Sequence, residues 1–391
     1  MITSIEITLP RTDGTLERYE VGEASPWPEQ AAPARSRIAF AAAHVVADPL
    51  AANDPWLEAA VDWDATLAYR RHLWDLGLSL AEAMDTAQRS MGLDWPASQE
   101  LIRRSLAEAR AIGVADRIAC GAGTDHLPPG TYTLDHIVAA YMEQCEFVER
   151  HGGRIILMAS RALAASARRP EDYVHVYARV LSQVKEPVII HWLGDMFDPQ
   201  LGGYWGTTDL DRASITCMEV IGANASRIDG IKVSLLDMRR EIELRRRLPA
   251  GVRMYTGDDF NYPELIFGDD RGCSNALLGI FDAIAPAAAA ALGALDDGDS
   301  LRYRQIFEPT VALSRQIFAA PTRFYKTGVV FLAYLNGYHS HFRMVGGQES
   351  ARSIVHLGKV FRLADKARLL RDPELAVRRM RQVLALAGIN G

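Results

Sequence analysis

Lys232 has the most chemistry to offer of any residue in the sequence. It lies within a short apolar run, Ile228-Asp229-Gly230-Ile231-Lys232-Val233, in a chain whose only other lysines are Lys185, Lys326, Lys359 and Lys366. An ammonium buried in such a run loses hydration unless it is neutral or paired. Desolvation lowers its pKa, and the neutral amine is the form that attacks a ketone to give a Schiff base. The structural alternative is a lysine that snorkels to the rim of a sheet or pairs with Asp258 or Asp259.

Other polar residues close apolar runs in the same way. His191 ends Pro187-Val188-Ile189-Ile190-His191-Trp192 and could move protons near neutral pH. Asp85 and Thr86 follow another run and are candidate substrate-binding groups, with helix capping as the alternative. Gly257, Asp258 and Asp259 follow a third, where glycine permits close backbone approach and the carboxylates could bind sugar hydroxyls. Two adjacent acids are also ordinary helix-start chemistry. His44 and His126 are candidates for the same mouth, and His339 and His341 form an H-x-H further on. Imidazoles and carboxylates at 44, 85, 126, 191 and 258 could also serve zinc or manganese, although no pair has the spacing of a metal motif.

These residues need elements to hold them. Eight short apolar runs, 38–44, 78–84, 117–121, 154–158, 187–192, 230–234, 252–256 and 276–284, read as strands covered on both faces. Segments with helical spacing, such as 63–76, 98–111, 134–150 and 170–184, alternate with them, which predicts βαβ units. No strand is followed by a G-x-G-x-x-G turn, so eight units favour a closed (β/α)8 TIM barrel over an open sheet. Residues 1–22 predict a β-hairpin turning at Thr12-Asp13-Gly14-Thr15, and 23–36 a proline-rich linker arm. Beyond Pro286 the chain reads as helix over 287–295, 300–318, 326–335, 351–363 and 373–386. The expected organisation is a hairpin and arm (1–36), a barrel (37–300) and a C-terminal helical extension (301–391).

Composition narrows the function classes. A net charge of -6 with basic residues spread along the chain argues against nucleic acid or anionic membrane as the main partner. Arg245, Arg246 and Arg247 form the one basic cluster, and it reads as a solvated helix face. Cys120, Cys145, Cys217 and Cys273 make no CxxC pair, which predicts reduced, buried thiols. The N-terminus has no basic region followed by an apolar run, and no apolar stretch approaches the ~20 residues of a membrane span. A soluble, cytoplasmic protein is expected.

The order of the motifs resembles the dihydrodipicolinate synthase and N-acetylneuraminate lyase family. Gly230-Ile231-Lys232, then Thr256-Gly257-Asp258-Asp259, then a strand ending at Ala285-Pro286 is similar to the family's G-I-K, S-G-D-D and A-P. Pro321–Val330 is similar to its N-P-x-P-x-K-x-x-L segment, with Lys326 at the matching lysine, and 187–190 looks like its P-V-I-L. The likeness runs over about 37–345 and is specific from Lys232 to Pro286. It implies a class I lyase in which Lys232 condenses with a 2-keto acid, needing no metal or organic cofactor. It also implies a homo-oligomer, a dimer or tetramer.

Three departures from the family pattern matter. His191 falls where the family has its proton-relay tyrosine. Asp85-Thr86-Ala87 falls near its carboxylate-binding T-T-G, and Met196 stands where the biosynthetic enzymes carry an arginine. Together with Asp259, at a position that meets sugar hydroxyls in the lyase branch, they point to a 2-keto-3-deoxy sugar acid or similar polyhydroxylated substrate. The expected reaction is aldol cleavage or dehydration in carbohydrate metabolism. The rival readings are a metal-dependent barrel isomerase or class II aldolase, and a barrel that binds a sugar acid without turning it over.

Overall fold

The computed structural model describes residues 5–85 and 88–389. The first two strands, β1 (Ile5–Pro10) and β2 (Leu16–Val21), form the antiparallel hairpin expected from the alternation of Ile5, Ile7 and Leu9. Eight further strands are parallel: β3 (Ala39–Ala42), β4 (Ser79–Glu82), β5 (Ile118–Ala122), β6 (Arg154–Leu157), β7 (Val188–Leu193), β8 (Ile228–Ser234), β9 (Arg253–Thr256) and β10 (Asn275–Leu278). They close in sequence order, with β10 pairing β3, so the sheet is a (β/α)8 barrel.

The chain divides into two compact units. One holds all eight barrel strands, in segments 37–43 and 79–279. Its interior is filled by one contiguous cluster that includes Phe40, Ala42, Ala81, Ala119, Ile156, Ile189, Tyr255 and Leu277, contributed by alternate positions of the strands. These side chains fill the barrel interior as a packed core. Helices Trp95–Ala111, Leu134–Arg150, Pro170–Leu181 and Leu210–Ala223 belong to this unit, each burying one apolar stripe.

The other unit takes 44–78, the segment before residue 37 and the segment after 279. Within it the hairpin packs on the helices Ile354–Lys366 and Pro373–Leu386, and Tyr19 donates to the Asp365 carboxylate at 2.7 Å. Helix Tyr325–Leu335 is buried along its whole length, as its apolar sequence requires. Among the described residues no helix is long and apolar enough to cross a membrane.

Four sequence expectations need correction. The eighth strand ends at Leu278, and Ile280–Ala283 is a helical turn, followed by a helix from Ala285 to Asp296. The run 276–284 is apolar apart from Gly279 and Asp282, too short a pattern to tell strand from buried helix there. The first strand likewise stops at Ala42, before His44. Cys273 is exposed, whereas Cys120, Cys145 and Cys217 are buried, and all four thiols are free. In the arginine cluster, Arg245 and Arg246 both pair with Asp269, at 3.1 and 2.9 Å, and the Arg245 guanidinium is largely covered.

Candidate active site

Strand periodicity decides where Lys232 points. A side chain added at Gly230 would run into the Tyr255 ring, 2.6 Å away, and that ring belongs to the barrel interior. Positions 230, 232 and 234 share one face of β8, so Lys232 and Ser234 project inward as well. On the neighbouring strand Ile189 is an interior residue, which puts His191 on the same face, directly in register with Lys232. Lys232 is 7% exposed, and His191 is fully buried.

The residue after β9 has no room for a side chain, because its neighbours already fill the space. At Gly257 a Cβ would lie 2.1 Å from Ser234 Oγ, 2.8 Å from the Val233 carbonyl and 2.9 Å from Lys232 Cε. Only glycine fits there, and its backbone N–H donates to Val233 at 2.8 Å. Lys232 Cε and Ser234 Oγ thus flank the same small volume and lie within about 5 Å of each other.

Asp85 is delivered by the turn after β4. Ala83 takes a left-handed conformation (φ 51°), and its carbonyl is gripped by the buried Arg89 guanidinium at 3.1 Å. Arg89 also donates to the Gly121 carbonyl and makes a bidentate pair with Asp125 at 2.7 and 2.9 Å. This clamp ties the ends of β4 and β5 together and leaves Asp85 Oδ2 3.2 Å from His191 Nδ1. The other ring nitrogen of His191, Nε2, lies 3.1 Å from Ser234 Oγ. Asp85, His191 and Ser234 therefore form a line of three polar groups alongside Lys232.

Their charges are coupled. Burial pushes the His191 imidazole below its ordinary pKa; Asp85 pulls it back up, and Lys232 pushes it down again. Burial works to raise the Asp85 carboxyl, but His191, Lys232 and Arg89 outweigh it and hold the group below the usual range. The favoured state is an aspartate beside a neutral imidazole. A carboxylate 3.2 Å from Nδ1 favours the tautomer with its proton there, which leaves Nε2 to accept from the Ser234 hydroxyl.

The remaining sequence-predicted residues fall variously. Gly257 lies in the site as described. Asp258 is buried and caps the following turn, accepting from the Phe260 and Asn261 amides at 2.9 and 3.0 Å. Asp259 is buried beside it in the chain. Thr86 lies outside the described residues. His126 contacts Gln144 at 2.8 Å and sits 3.4 Å from Glu143. His44 falls in the other unit, where its Nδ1 lies 3.1 Å from both oxygens of Asp282. Lys326 donates to that carboxylate at 2.7 Å, and His339 packs against the His44 ring. Burial tends to raise the Asp282 carboxyl, but Lys326 and His44 overcome this and hold it far below the usual range. His339 Nδ1 donates to the His341 carbonyl at 2.7 Å, so the H-x-H joins this cluster through His339, while His341 itself is only half-buried. Among the described residues, no group of three or more His, Cys, Asp or Glu side chains is arranged to hold a metal ion.

Sequence reasoning missed Ser234 and Arg89. Ser234 stands two residues beyond Lys232, and that spacing alone puts the two on one strand face. Arg89 carries no local signal, because its partners come from three separate segments.

Comparison with solved structures places the architecture. The chain superposes on the dihydrodipicolinate synthase of Thermotoga maritima with a TM-score of 0.63 at 12% identity, over 86% of this chain and 100% of that one. The Aquifex aeolicus enzyme gives 0.58 at 16% identity, over 90% and 98%. The Acinetobacter baumannii enzyme, determined with pyruvate, gives 0.54 at 17%, over 75% and 89%. At these identities the likeness is one of fold. No curated protein sequence matches the chain. A family model described as "Protein of unknown function (DUF993)" matches residues 7–389, and the chain belongs to that family.

Proposed function

We propose that this protein is a Schiff-base-forming lyase acting on a 2-keto acid through Lys232. One observation carries the reading: an inward-facing, buried lysine in register with a buried histidine that lies against an aspartate. A lysine, a proton carrier and an orienting carboxylate are the groups that imine chemistry needs. The barrel is that of the dihydrodipicolinate synthases, which supports the reading by analogy of fold.

In this reading the Lys232 amine adds to the C2 ketone and water leaves. The iminium withdraws electrons from the C3 bond, so that cleavage or β-elimination runs through the enamine, with His191 moving the proton. Asp85 orients His191 rather than binding substrate, so its charge is spent inside the protein. Asp259 is assigned to hydroxyls on the rest of the substrate, and a 2-keto-3-deoxy sugar acid is the favoured class. No metal or organic cofactor is called on, since the lysine supplies the electron sink. A homo-oligomer, dimer or tetramer, in the cytoplasm completes the proposal.

The test is incubation with pyruvate and a panel of 2-keto-3-deoxy sugar acids, followed by borohydride reduction and intact mass. An increment on the wild type that is absent from Lys232→Ala supports the proposal. No increment with any keto acid ends it. Assay of pyruvate release against loss of water then separates cleavage from dehydration.

A further inference from the structure

We infer that Ser234 is a catalytic residue, the hydroxyl through which protons pass between the reacting centre on Lys232 and His191. The inference rests on the Schiff-base reading above and adds a group that reading does not contain.

The geometry carries it. His191 Nε2, the nitrogen free to exchange protons once Asp85 fixes the other, is directed at Ser234 Oγ at 3.1 Å. Ser234 is 2% exposed, so water does not compete freely for its hydroxyl. It shares a strand face with Lys232, and both side chains crowd the one position where a Cβ on residue 257 would stand. A carbonyl carbon bonded to the lysine nitrogen would carry its oxygen into that neighbourhood. His191, one strand away, meets the serine hydroxyl through Nε2. A hydroxyl can accept a proton on one lone pair while giving its own away, so it passes charge without holding it. The groups facing His191 are Asp85 from the turn after β4, and Lys232 and Ser234 from β8.

The steps balance. Lys232 starts as an ammonium, and one proton passes through Ser234 to His191 Nε2. The freed nitrogen pair makes the C–N bond, and the carbonyl π pair moves onto oxygen. A proton from the new N–H group crosses to that oxygen through Ser234. The nitrogen pair then forms the C=N bond and the C–O bond breaks. The proton stored on His191 returns through Ser234, and the departing hydroxyl leaves as water. The iminium keeps the one positive charge that the ammonium began with.

The experiment follows the rate of borohydride-trapped adduct with pyruvate, or whichever keto acid labels the wild type, across pH 5–9. Ser234→Ala, His191→Asn and the double variant are compared with the wild type. Expected for Ser234→Ala is adduct formation slowed about 10²-fold, the low end of general acid–base catalysis, with the same final mass on Lys232 and loss of the His191 inflection from the pH profile. The double variant should be no slower than His191→Asn, because the two groups act in series. If Ser234→Ala fails to fold, Ser234→Cys keeps the side-chain volume while replacing the hydroxyl with a weak hydrogen-bonding thiol. A wild-type rate and profile in the serine variant, or effects that multiply in the double variant, would overturn the role of Ser234 while Lys232 keeps its own. Absence of any adduct on the wild type would overturn both.

Discussion

His191, within β7, and Asp85, from the turn after β4, are brought within 3.2 Å of each other although the two strands are not neighbours in the barrel. The pairing fixes which ring nitrogen carries the proton, and so which way His191 can work. Asp85→Asn keeps the shape but removes the charge that holds the Nδ1 proton. Trapping of a keto acid on Lys232 should slow by about 10²-fold, within the range of general acid–base catalysis. Stopped-time borohydride reduction with intact mass checks this, and an unchanged rate would detach Asp85 from the mechanism.

Gly257 is required by space and not by backbone strain. A methyl group there meets Ser234 Oγ at 2.1 Å and Lys232 Cε at 2.9 Å. Gly257→Ala should destabilise the fold by about 1–3 kcal/mol through overpacking and also suppress adduct formation. Denaturant titration beside the trapping assay separates the two effects. Normal stability with normal trapping would mean the space is larger than described.

Glu241 gives the fold a pH dependence. The carboxyl is buried, accepts from Ser274 Oγ at 2.7 Å, and is pushed up to about 8 by burial, against the hydrogen bonds from Ser274 and Thr256. The folded state therefore binds a proton that the unfolded chain gives up near 4.5. Its contribution to stability is complete below about 4.5 and is lost as pH rises through about 8. Glu241→Gln should flatten stability between pH 5 and 9, with a gain on the order of a few kcal/mol at the alkaline end. Urea midpoints across that range test the sign. A wild type that gains stability toward pH 9 would refute it.

The His44–Asp282–Lys326 cluster is assigned to stability. Lys326→Met strips the buried Asp282 carboxylate of its ammonium partner. Breaking a buried pair on one side costs about 3–5 kcal/mol. The double change Lys326→Met with Asp282→Leu should recover part of that loss, since no lone charge remains. Denaturant midpoints of the single and double variants decide it, and a harmless single variant would show that the pair bears no load.

Much of the barrel is legible in the sequence because its strands are short apolar runs set between amphipathic helices, and each of the eight runs holds one strand. The run 276–284 overshoots because the apolar residues of 280–284 read like more strand, although Gly279 and Asp282 interrupt them. Lys232 and His191 are legible for the same reason, as polar residues in apolar strands. The partner of His191 is not. Asp85 reads as a group for the substrate, and only the closure of the barrel brings it to the imidazole. His44 reads as a strand-end residue, yet Asp282, far away in the chain, takes up its Nδ1. Local pattern reports burial, whereas the meeting of side chains from distant segments is a property of topology.

Peptide mapping after borohydride reduction with a 2-keto acid puts the central claim at greatest risk, because the chain offers a second buried amine at Lys326. The covalent increment is predicted on the peptide carrying Lys232 and on no other. An increment on Lys326 or on a surface lysine, or an unmodified chain after exposure to the full panel of keto acids, would contradict it.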